Sequence, residues 1–345
     1  MRILLLGFCL LMVTKGFGQR KQYQAICLGF YNFENLFDTE DDPDIRDEEF
    51  LPKGKRLWNQ DLYQDKQANM AKVVAMLGTN VTPDGPAILG VCEVENKKVL
   101  DDFVKQEAIA DRNYQVVHHD SPDKRGIDVA LMYQEKYFKF TSQKAYPLNV
   151  IKLSGDTLFS RDVLLVSGEL NGEPTHIMVN HWPSRSGGEN KAAAYRNKAA
   201  QVCKGIADSL YQDNPESNII VMGDLNDDPT SPSVKKHLNA KGKIEKTSQG
   251  GLYNPLSDFY KMGNGTTSFR DSWSVFDQII ISHSLLVDKE DQMKYYKAEI
   301  FKQPWMMQVS GRYKGYPKRT FSGDIYNGGY SDHLPVLVYL VKEVK

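Results

Sequence analysis

Residues 219–229 constrain the fold more than any other stretch of the chain. They read Ile-Ile-Val-Met-Gly-Asp-Leu-Asn-Asp-Asp-Pro. The apolar, β-branched run predicts a buried strand, and the Asp-Asp-Pro sequence predicts a loop directly after it. Asp224 and Asn226 are two residues apart, so in extended chain their side chains share a face and can address one bound group. Two interpretations stay open at this point, a strand end with turn-forming residues or half of a functional site.

The N-terminal residues 1–18 are typical of a cleaved secretory signal. Arg2 supplies a short positive region, residues 3–13 are almost wholly apolar, and Gly16-Phe17-Gly18 offers small residues for cleavage. The apolar run is too short to span a bilayer comfortably. We therefore expect a secreted or periplasmic protein that is not transmembrane once cleaved, with residues 19–345 as the mature part. Lipoprotein processing at Cys9 is a weak alternative because Phe8 precedes it.

The composition favours one globular domain over residues 19–345. The chain has 345 residues, and we find no internal repeat, low-complexity tract or Pro/Gly/Ser linker. The net charge of −1 argues mildly against a protein that grips duplex nucleic acid electrostatically. Cys27, Cys92 and Cys203 lie in apolar segments without Cys-x-x-Cys spacing, which predicts buried thiols rather than a disulfide framework or zinc site.

Two N-terminal strands end in polar side chains. Residues 25–37 begin as a strand, and Asn32 and Glu34 share one face near its end. Residues 87–96 form a second buried strand that ends with Glu93 and Glu95. A carboxylate leaving such an apolar strand needs a partner, and a divalent cation is the obvious one. Spacing alone does not choose between the two glutamates.

Basic and oxyanion-binding side chains occur at two further strand ends. Arg125 belongs to a Lys-Arg pair just before the predicted strand 126–133, where it either meets a phosphate or lies at the surface. The strand over 175–180 runs into His-Trp-Pro-Ser-Arg-Ser-Gly-Gly, which carries His181 and Arg185. Arginine offers a planar fork of donors and glycine allows close backbone approach, so this loop suits an oxyanion.

The C-terminal part repeats the pattern of polar residues at strand ends. Asp277 stands at the start of an apolar strand, and Asp332-His333 directly precede the last one. Residues 284–329 form a long connection rich in aromatic residues and bases, which is more typical of a binding loop than of a neutral insertion. Apolar spacing predicts packing helices over 58–77 and 190–210, and residues 38–49 predict an acidic, solvated loop.

Taken together, these blocks resemble the endonuclease/exonuclease/phosphatase superfamily with its DNase I-like fold. No single block is specific, but their order spans nearly the whole mature chain. The matching positions are Tyr31-Asn32-Phe33-Glu34-Asn35, Cys92-Glu93-Val94, Asn180-His181, Gly223-Asp224-Leu225-Asn226, Phe276-Asp277 and Ser331-Asp332-His333.

The resemblance implies an α/β fold with four layers, α/β/β/α, in which two mixed β-sheets pack face to face. It also implies phosphoester hydrolysis that depends on Mg²⁺ or Mn²⁺. Glu93 would be the main metal ligand because it occupies the family's Gln-Glu position, although Cys92 replaces the usual Gln. Asn32 would assist near the metal, Asp332 would be a further ligand or support one, and Glu34 matches a position that is often acidic.

The resemblance assigns the remaining residues to chemistry on the phosphate. His333, oriented by Asp277, would contact the phosphate or accept a proton from the attacking water. Asp224 would orient or deprotonate the same water, and Asn226 would donate to the phosphorane. The phosphate-binding candidates are His181, Asn226, Arg185 and Arg125. Whether Asp224 or His333 is the base, and whether the site takes one metal or two, stays open.

The sequence therefore predicts a secreted, monomeric, Mg²⁺-dependent phosphoesterase that hydrolyses phosphodiester bonds by in-line attack of water. An endonuclease-type enzyme leads, and a phosphatase or phosphodiesterase acting on inositol phosphates, phospholipid headgroups or other small phosphoesters is the alternative. No stable protein partner is implied. A remote alternative is an inactive binding protein, but such a protein should lack one of the four central residues, and this chain keeps Glu93, Asp224, Asn226 and His333.

Overall fold

The computed structural model of the protein describes residues 22–148, 150–151, 155, 157–185 and 188–344. The predicted signal segment, residues 1–18, lies outside the described residues. Among the helices that are described, none combines the length and apolarity needed to cross a bilayer.

The described residues form the following strands, named in chain order. The first ten are β1 (Gln22–Leu36), β2 (Pro86–Val94), β3 (Tyr114–His118), β4 (Asp128–Gln134), β5 (Phe138–Tyr146), β6 (Val150–Ile151), β7 (Thr157–Leu158), β8 (Val163–Leu170), β9 (Glu173–His181) and β10 (Asn218–Asp224). The others are β11 (Ala240–Lys241), β12 (Leu252–Tyr253), β13 (Thr267–Phe269), β14 (Ser272–Ser274), β15 (Asp277–Ser282), β16 (Lys294–Ile300), β17 (Phe321–Ser322), β18 (Ile325–Tyr326) and β19 (Val336–Val344). The α-helices are α1 (Gln60–Met76), α2 (Lys97–Phe103), α3 (Glu189–Asp213) and α4 (Ser257–Lys261).

Two large mixed sheets form the centre of the molecule. One has six strands in the order β16-β19-β1-β2-β4-β3, and the other has seven in the order β11-β12-β15-β10-β9-β8-β5. Both sheets combine parallel and antiparallel pairs. The parallel pairs are β1 with β2 in the six-stranded sheet, and β9 with β10 and β11 with β12 in the seven-stranded sheet. This confirms the expected α/β architecture with two mixed sheets.

The apolar run of β10 shows how the four layers arise. Ile220 and Met222 pack between the sheets, against residues of the six-stranded sheet such as Phe30. Ile219 and Val221 point the other way and pack with side chains of α3. A strand covered on both faces needs apolar residues at every position, which is why β10 reads as a continuous hydrophobic run. Helices α1 and α2 cover the outer face of the six-stranded sheet in the same manner.

The helices and buried strands that the sequence predicts agree with the observed ones, but β5 and part of one long connection were not predicted as strands. Helix α1 begins where the Asn59 side chain accepts a hydrogen bond from Leu62 N at 3.1 Å, and the three mature cysteines are buried. The expectation that residues 284–329 form only a connection is wrong, because Lys294–Ile300 pairs with β19 as the edge strand β16. Charged residues along an edge strand hide its pattern, since they protect its open side.

The sheet register brings the polar strand ends to one edge of the molecule. In the seven-stranded sheet, Asp224 pairs with His181 on one side and with Asp277 on the other. In the six-stranded sheet, Asn32 of β1 pairs with Cys92, the residue before Glu93. Polar residues that are far apart in the sequence therefore meet where the two sheets end.

Candidate active site

Glu93 reaches the site because β2 is irregular at this residue. The pairing of β2 with β4 shifts register between Cys92 and Val94, and Glu93 has a left-handed backbone with φ of 58°. Such a conformation is uncommon outside glycine, and backbone strain of this kind occurs mostly at functional sites. The Glu93 carboxylate accepts hydrogen bonds from Asn32 Nδ2 at 3.2 Å and Asn35 N at 3.1 Å. Its side chain remains 17% exposed, so a solute can reach it.

Glu95, the other candidate at the end of β2, lies in a different environment. Its carboxyl group accepts a hydrogen bond from Asp38 N at 2.7 Å. Burial raises the pKa of Glu95 to about 8, so this group is largely protonated at neutral pH. The structure thus places Glu93, and not Glu95, beside Asn32.

The Asn32 amide holds two carboxylates together. Asn32 Nδ2 donates to Glu93 and also to Asp224 Oδ2 at 3.1 Å, while Asn32 Oδ1 accepts from Glu34 N at 2.8 Å. The carbonyl of Asn32 accepts a hydrogen bond from Ser331 Oγ at 2.8 Å. These bonds fix the orientation of the amide and join the end of β1 to the turn before β19.

His181 lies between the same two carboxylates. Its Nε2 is 3.7 Å from Glu93 Oε1 and 3.7 Å from Asp224 Oδ2, whereas its buried Nδ1 has no hydrogen-bond partner among the described residues. Burial, with help from the positive charges of Arg161 and Arg125, holds the pKa of His181 well below its ordinary value. We therefore infer a neutral ring with its proton on Nε2, which faces the carboxylates.

Asp224 is the buried centre of the site. Its Oδ1 accepts a hydrogen bond from Asn226 N at 2.9 Å, and its Oδ2 faces Asn32, His181 and, at 3.9 Å, His333 Nε2. Burial raises the pKa of Asp224 to about 7, although the positive charge of His333 opposes the rise. A carboxylate with this pKa can accept a proton near neutral pH.

His333 and Asp277 form a buried ion pair. His333 Nδ1 lies 2.7 Å from Asp277 Oδ2, and Asp277 is fully buried. Burial alone would lower the pKa of His333, but the carboxylates of Asp277 and Asp224 reverse this effect and raise it well above its ordinary value. The imidazole is therefore cationic, with Nδ1–H donating to Asp277 and Nε2–H available toward Asp224.

Asn226 and Arg185 belong to the loop that follows β10. Asn226 also has a left-handed backbone, with φ of 49°, and its Nδ2 donates to the carbonyl of Trp182 at 2.9 Å. Arg185 Nε donates to the Asn226 carbonyl at 3.1 Å, and its Nη2 lies 3.2 Å from Asp228 Oδ2. The observed contacts of Arg185 thus brace the backbone that carries Asn226.

Arg125 occupies the rim of the site, half exposed. Its guanidinium pairs with Asp123, which also binds the buried Arg161 at 2.8 Å. Arg161 in turn donates to the carbonyls of His181 at 3.1 Å and Trp182 at 2.9 Å. Arg161 cannot be recognised from the sequence, since a single arginine before a strand carries no signal of burial.

Glu34 and Asp332 form a second acid pair that a basic side chain bridges. Arg319 Nε lies 3.3 Å from Glu34 Oε1, and Arg319 Nη2 donates a hydrogen bond to Asp332 Oδ2. Thr320 N donates to Glu34 Oε2 at 2.7 Å. Lys66, fully buried on α1, donates to the Glu34 carbonyl at 2.7 Å and to Thr320 Oγ1 at 2.6 Å.

The sequence carries one signal for the burial of Lys66. Lys66 follows Tyr63 by three residues and precedes Met70 by four, so it lies on the apolar face of α1. A lysine on a buried helix face needs a polar partner inside the protein. For Thr320 we see no such signal.

The donor atoms suit a divalent cation. The carboxylates of Glu93 and Asp224 offer oxygen ligands, and His181 Nε2 lies within 4.8 Å of both, where its N–H is a donor and not a ligand. The set is dominated by carboxylate oxygens and adjoins the Asn32 amide, which is the chemistry that Mg²⁺ and Mn²⁺ prefer. Asp224, Asp277 and His333 form a second such group, but there the His333 ring already acts as the cation.

Solved structures similar to the chain share its fold. An endonuclease/exonuclease/phosphatase family protein from Bacteroides thetaiotaomicron is 17% identical, with a TM-score of 0.55 over 94% of this chain and 97% of that one. TDP2 from D. rerio, solved with a single-stranded DNA product, is 12% identical, with a TM-score of 0.54 over 92% and 98%. The human nocturnin catalytic domain is 16% identical, with a TM-score of 0.54 over 94% and 98%.

Sequence comparisons complete the assignment. No curated protein matches the chain. The model of the endonuclease/exonuclease/phosphatase family, however, matches residues 27–342, which is most of the chain. The family model and the two mixed sheets agree with the resemblance noted from the sequence. The chain belongs to the endonuclease/exonuclease/phosphatase family.

Proposed function

We propose that the protein is a Mg²⁺- or Mn²⁺-dependent phosphodiesterase that cleaves its substrate by in-line attack of water. One observation carries the proposal. The buried carboxylate of Asp224 lies between a solvent-reachable carboxylate, Glu93, and a cationic imidazole, His333. Glu93 can hold the cation, Asp224 can act as base, and His333 can donate a charged hydrogen bond to the same phosphate. Phosphoryl transfer to water requires these three functions.

Glu93 would hold the cation, with the Asn32 amide fixing the carboxylate and Asp224 alongside it. When bound, the cation supplies Lewis-acid polarisation of a non-bridging phosphate oxygen and offsets charge on the leaving oxygen. The neutral Nε2–H of His181 points toward the same place and can donate to a phosphoryl oxygen.

We assign the base to Asp224 and the cationic donor to His333. Asp224 has a pKa of about 7, so its Oδ2 can take the proton of the attacking water. His333 already carries a proton on each nitrogen because Asp277 holds it cationic, and its Nε2–H can stabilise charge that develops on the phosphoryl oxygens. Asn226 keeps a second amide N–H for the same purpose, beyond the one it gives to Trp182.

A single strand of nucleic acid is the substrate class that the surroundings of the site favour. The hairpin β13–β14 adjoins His333, because Thr267 bridges to it and Thr267 Oγ1 donates to the Asp332 carbonyl at 3.0 Å. Two residues further along, Phe269 is 71% exposed, and Arg270 follows it. An exposed ring beside a base can stack on a nucleobase and contact its phosphate.

Further bases surround this hairpin. Lys302 Nζ lies 4.5 Å from the ring centre of Trp273 in β14, and Tyr316 OH donates to Asp271 Oδ1 at 2.7 Å. In the part of the chain that the structure describes, the bases of this region without a carboxylate partner include Arg270, Lys302, Arg312 and Lys314. Such bases suit a polyanion better than a small phosphomonoester.

The test is hydrolysis of bis-p-nitrophenyl phosphate with and without Mg²⁺, comparing wild type with Glu93→Ala and His333→Ala. We expect metal-dependent activity in the wild type and its loss in both variants. Unchanged activity in both variants would contradict the mechanism. A panel of single-stranded DNA, single-stranded RNA, plasmid, inositol phosphates and sphingomyelin then identifies the substrate class, and turnover of only the last two would establish the small-phosphoester alternative.

We also propose export, which rests on the composition of residues 1–18 alone. The expected result is recovery of the protein outside the cytoplasm with an intact mass that begins near Gln19. An intact mass that retains residues 1–18 would contradict this part of the proposal.

A further inference from the structure

We propose that the guanidinium of Arg319 permanently occupies the Glu34–Asp332 carboxylate pair and so limits the site to one divalent cation, held at Glu93. The inference rests on the proposed metal-dependent function and answers the question of one metal or two that the sequence left open. It also gives the connection 284–329 a role in the centre itself, since this segment delivers Arg319.

The geometry of Arg319 is that of a bridging cation. Its Nε faces Glu34 Oε1 at 3.3 Å, and its Nη2 binds Asp332 Oδ2. Two carboxylates that converge on one position repel each other unless a positive charge lies between them. A divalent ion could supply that charge, but here the protein supplies it with a side chain that stays protonated at any physiological pH.

Arg319 is held in place by bonds that do not involve its own side chain. The next residue, Thr320, donates through its backbone N to Glu34 Oε2 and accepts from the buried Lys66 Nζ through Oγ1. Lys66 also binds the Glu34 carbonyl, so β1, α1 and the segment that carries Arg319 are joined at one point. Both oxygens of Glu34 are therefore already used, one by a side chain and one by a backbone amide.

The charge of the whole cluster agrees with one divalent ion. The carboxylates are Glu34, Glu93, Asp224, Asp277 and Asp332, and the cationic side chains are Lys66, Arg319 and His333. When all five acids are ionised, three cations leave two negative charges, and His181 is neutral. A second divalent ion would make the cluster positive unless a resident cation left.

The test is the stoichiometry of Mn²⁺ binding, measured by isothermal titration calorimetry on the full chain and checked by electron paramagnetic resonance. We expect one Mn²⁺ per wild-type chain. Arg319→Met keeps the aliphatic stem and removes the charge, so we expect two Mn²⁺ per chain and a resonance spectrum broadened by coupling between them. Arg319→Lys retains a cation and should bind one.

Matched controls separate this effect from a general loss of charge. Lys318→Met removes the neighbouring charge, which donates to the Gly328 carbonyl instead of an acid, and should leave one Mn²⁺ bound. Adding Glu34→Gln to Arg319→Met should return the stoichiometry from two to one. Glu34→Gln in the otherwise wild-type chain should still bind one Mn²⁺, because Arg319 and not Mn²⁺ occupies Glu34.

Each outcome tells the two proposals apart. A wild type that binds two Mn²⁺, or Arg319→Met that still binds one, overturns the role of Arg319 and leaves the proposed function standing. If the wild type binds no Mn²⁺, or binds it equally well after Glu93→Gln, the proposed function itself fails. Should Arg319→Met not fold, loss of Mn²⁺ binding in Glu34→Gln alone overturns the inference.

Discussion

The two halves of the site are built in opposite ways. The cation half, Glu93 with Asn32, comes from the six-stranded sheet, and its carboxylate is partly exposed and bonded to neutral N–H groups. The proton half, Asp224 with Asp277 and His333, is buried, and the pKa values of Asp224 and His333 are raised. In the proposed mechanism, one half exchanges a ligand with solvent and the other holds and moves protons.

This difference follows from where the charges lie relative to water. A partly exposed carboxylate bonded to amides stays in contact with water, so it is free to bind a cation. Buried carboxylates cannot, and each must share a proton or face a cation. We therefore expect changes in the cation half to alter metal binding and activity, and changes in the proton half to alter pH dependence and stability as well.

The largest expected effect is that of Glu93→Gln. Losing the cation removes several kcal/mol of charge stabilisation, so kcat/KM should fall by about a thousandfold or more, and Mn²⁺ affinity should fall with it. The free energy of unfolding should change little, because the side chain is partly exposed. Glu95→Gln is the matched control and should retain activity, since Glu95 is largely protonated and bonded to Asp38. Equal losses in both variants would remove the distinction between the two glutamates.

Asp224→Asn should reduce kcat by about a hundredfold to ten-thousandfold, the range of a general base. Its pKa of about 7 means that the carboxylate is protonated and inactive at lower pH. Wild-type kcat/KM should therefore rise with pH until the carboxylate is ionised. With a cation bound nearby, this rise should end at or below about pH 7. The pH profile of Asp224→Asn should lack the rise. If kcat/KM of Asp224→Asn still rises with pH in this range, another residue is the base.

Asp277→Asn tests the buried ion pair through stability. Removing one partner of a buried pair costs about 3–5 kcal/mol of unfolding free energy. Because the folded-state pKa of His333 is raised, the pair stabilises fully below the unfolded pKa of about 6.5 and loses its effect as pH rises through the folded pKa. Urea unfolding should be measured at pH 6 and pH 9. The difference in unfolding free energy between wild type and variant should be smaller at pH 9. If this difference in unfolding free energy does not depend on pH, His333 is neutral.

The two halves also differ in how far the sequence could predict them. Strand ends and sheet pairing follow from apolar patterning, so the sequence could place Asp224, Asp277 and His333 near one another. Alternation along a strand predicts which face of the sheet a side chain points to. This prediction fails where the backbone is no longer extended. Glu93 and Glu95 should share a face by alternation, but the left-handed residue at Glu93 separates them.

The same limit explains the acid pair beside the cation half. Glu34 has φ of 47°, so it turns away from the direction that alternation with Asn32 predicts and meets Arg319. Arg319 belongs to the base-rich connection 284–329, whose composition predicted a binding loop. Its pairing with Glu34 depends on the return of a distant segment to β1, and no local pattern encodes such a return.

The smallest expected effect concerns the hairpin attached to the proton half. If the substrate strand extends along this side, Phe269→Ala should remove a stacking contact worth about 1 kcal/mol and raise KM for single-stranded DNA about fivefold. kcat on single-stranded DNA should stay unchanged because the stacking contact acts on binding and not on the chemical step. Ile244→Ala removes an exposed apolar side chain next to β11 and serves as control. Equal KM values for Phe269→Ala and wild type would mean that the strand leaves over the cation half instead, where the exposed Glu93 already opens the site to solvent.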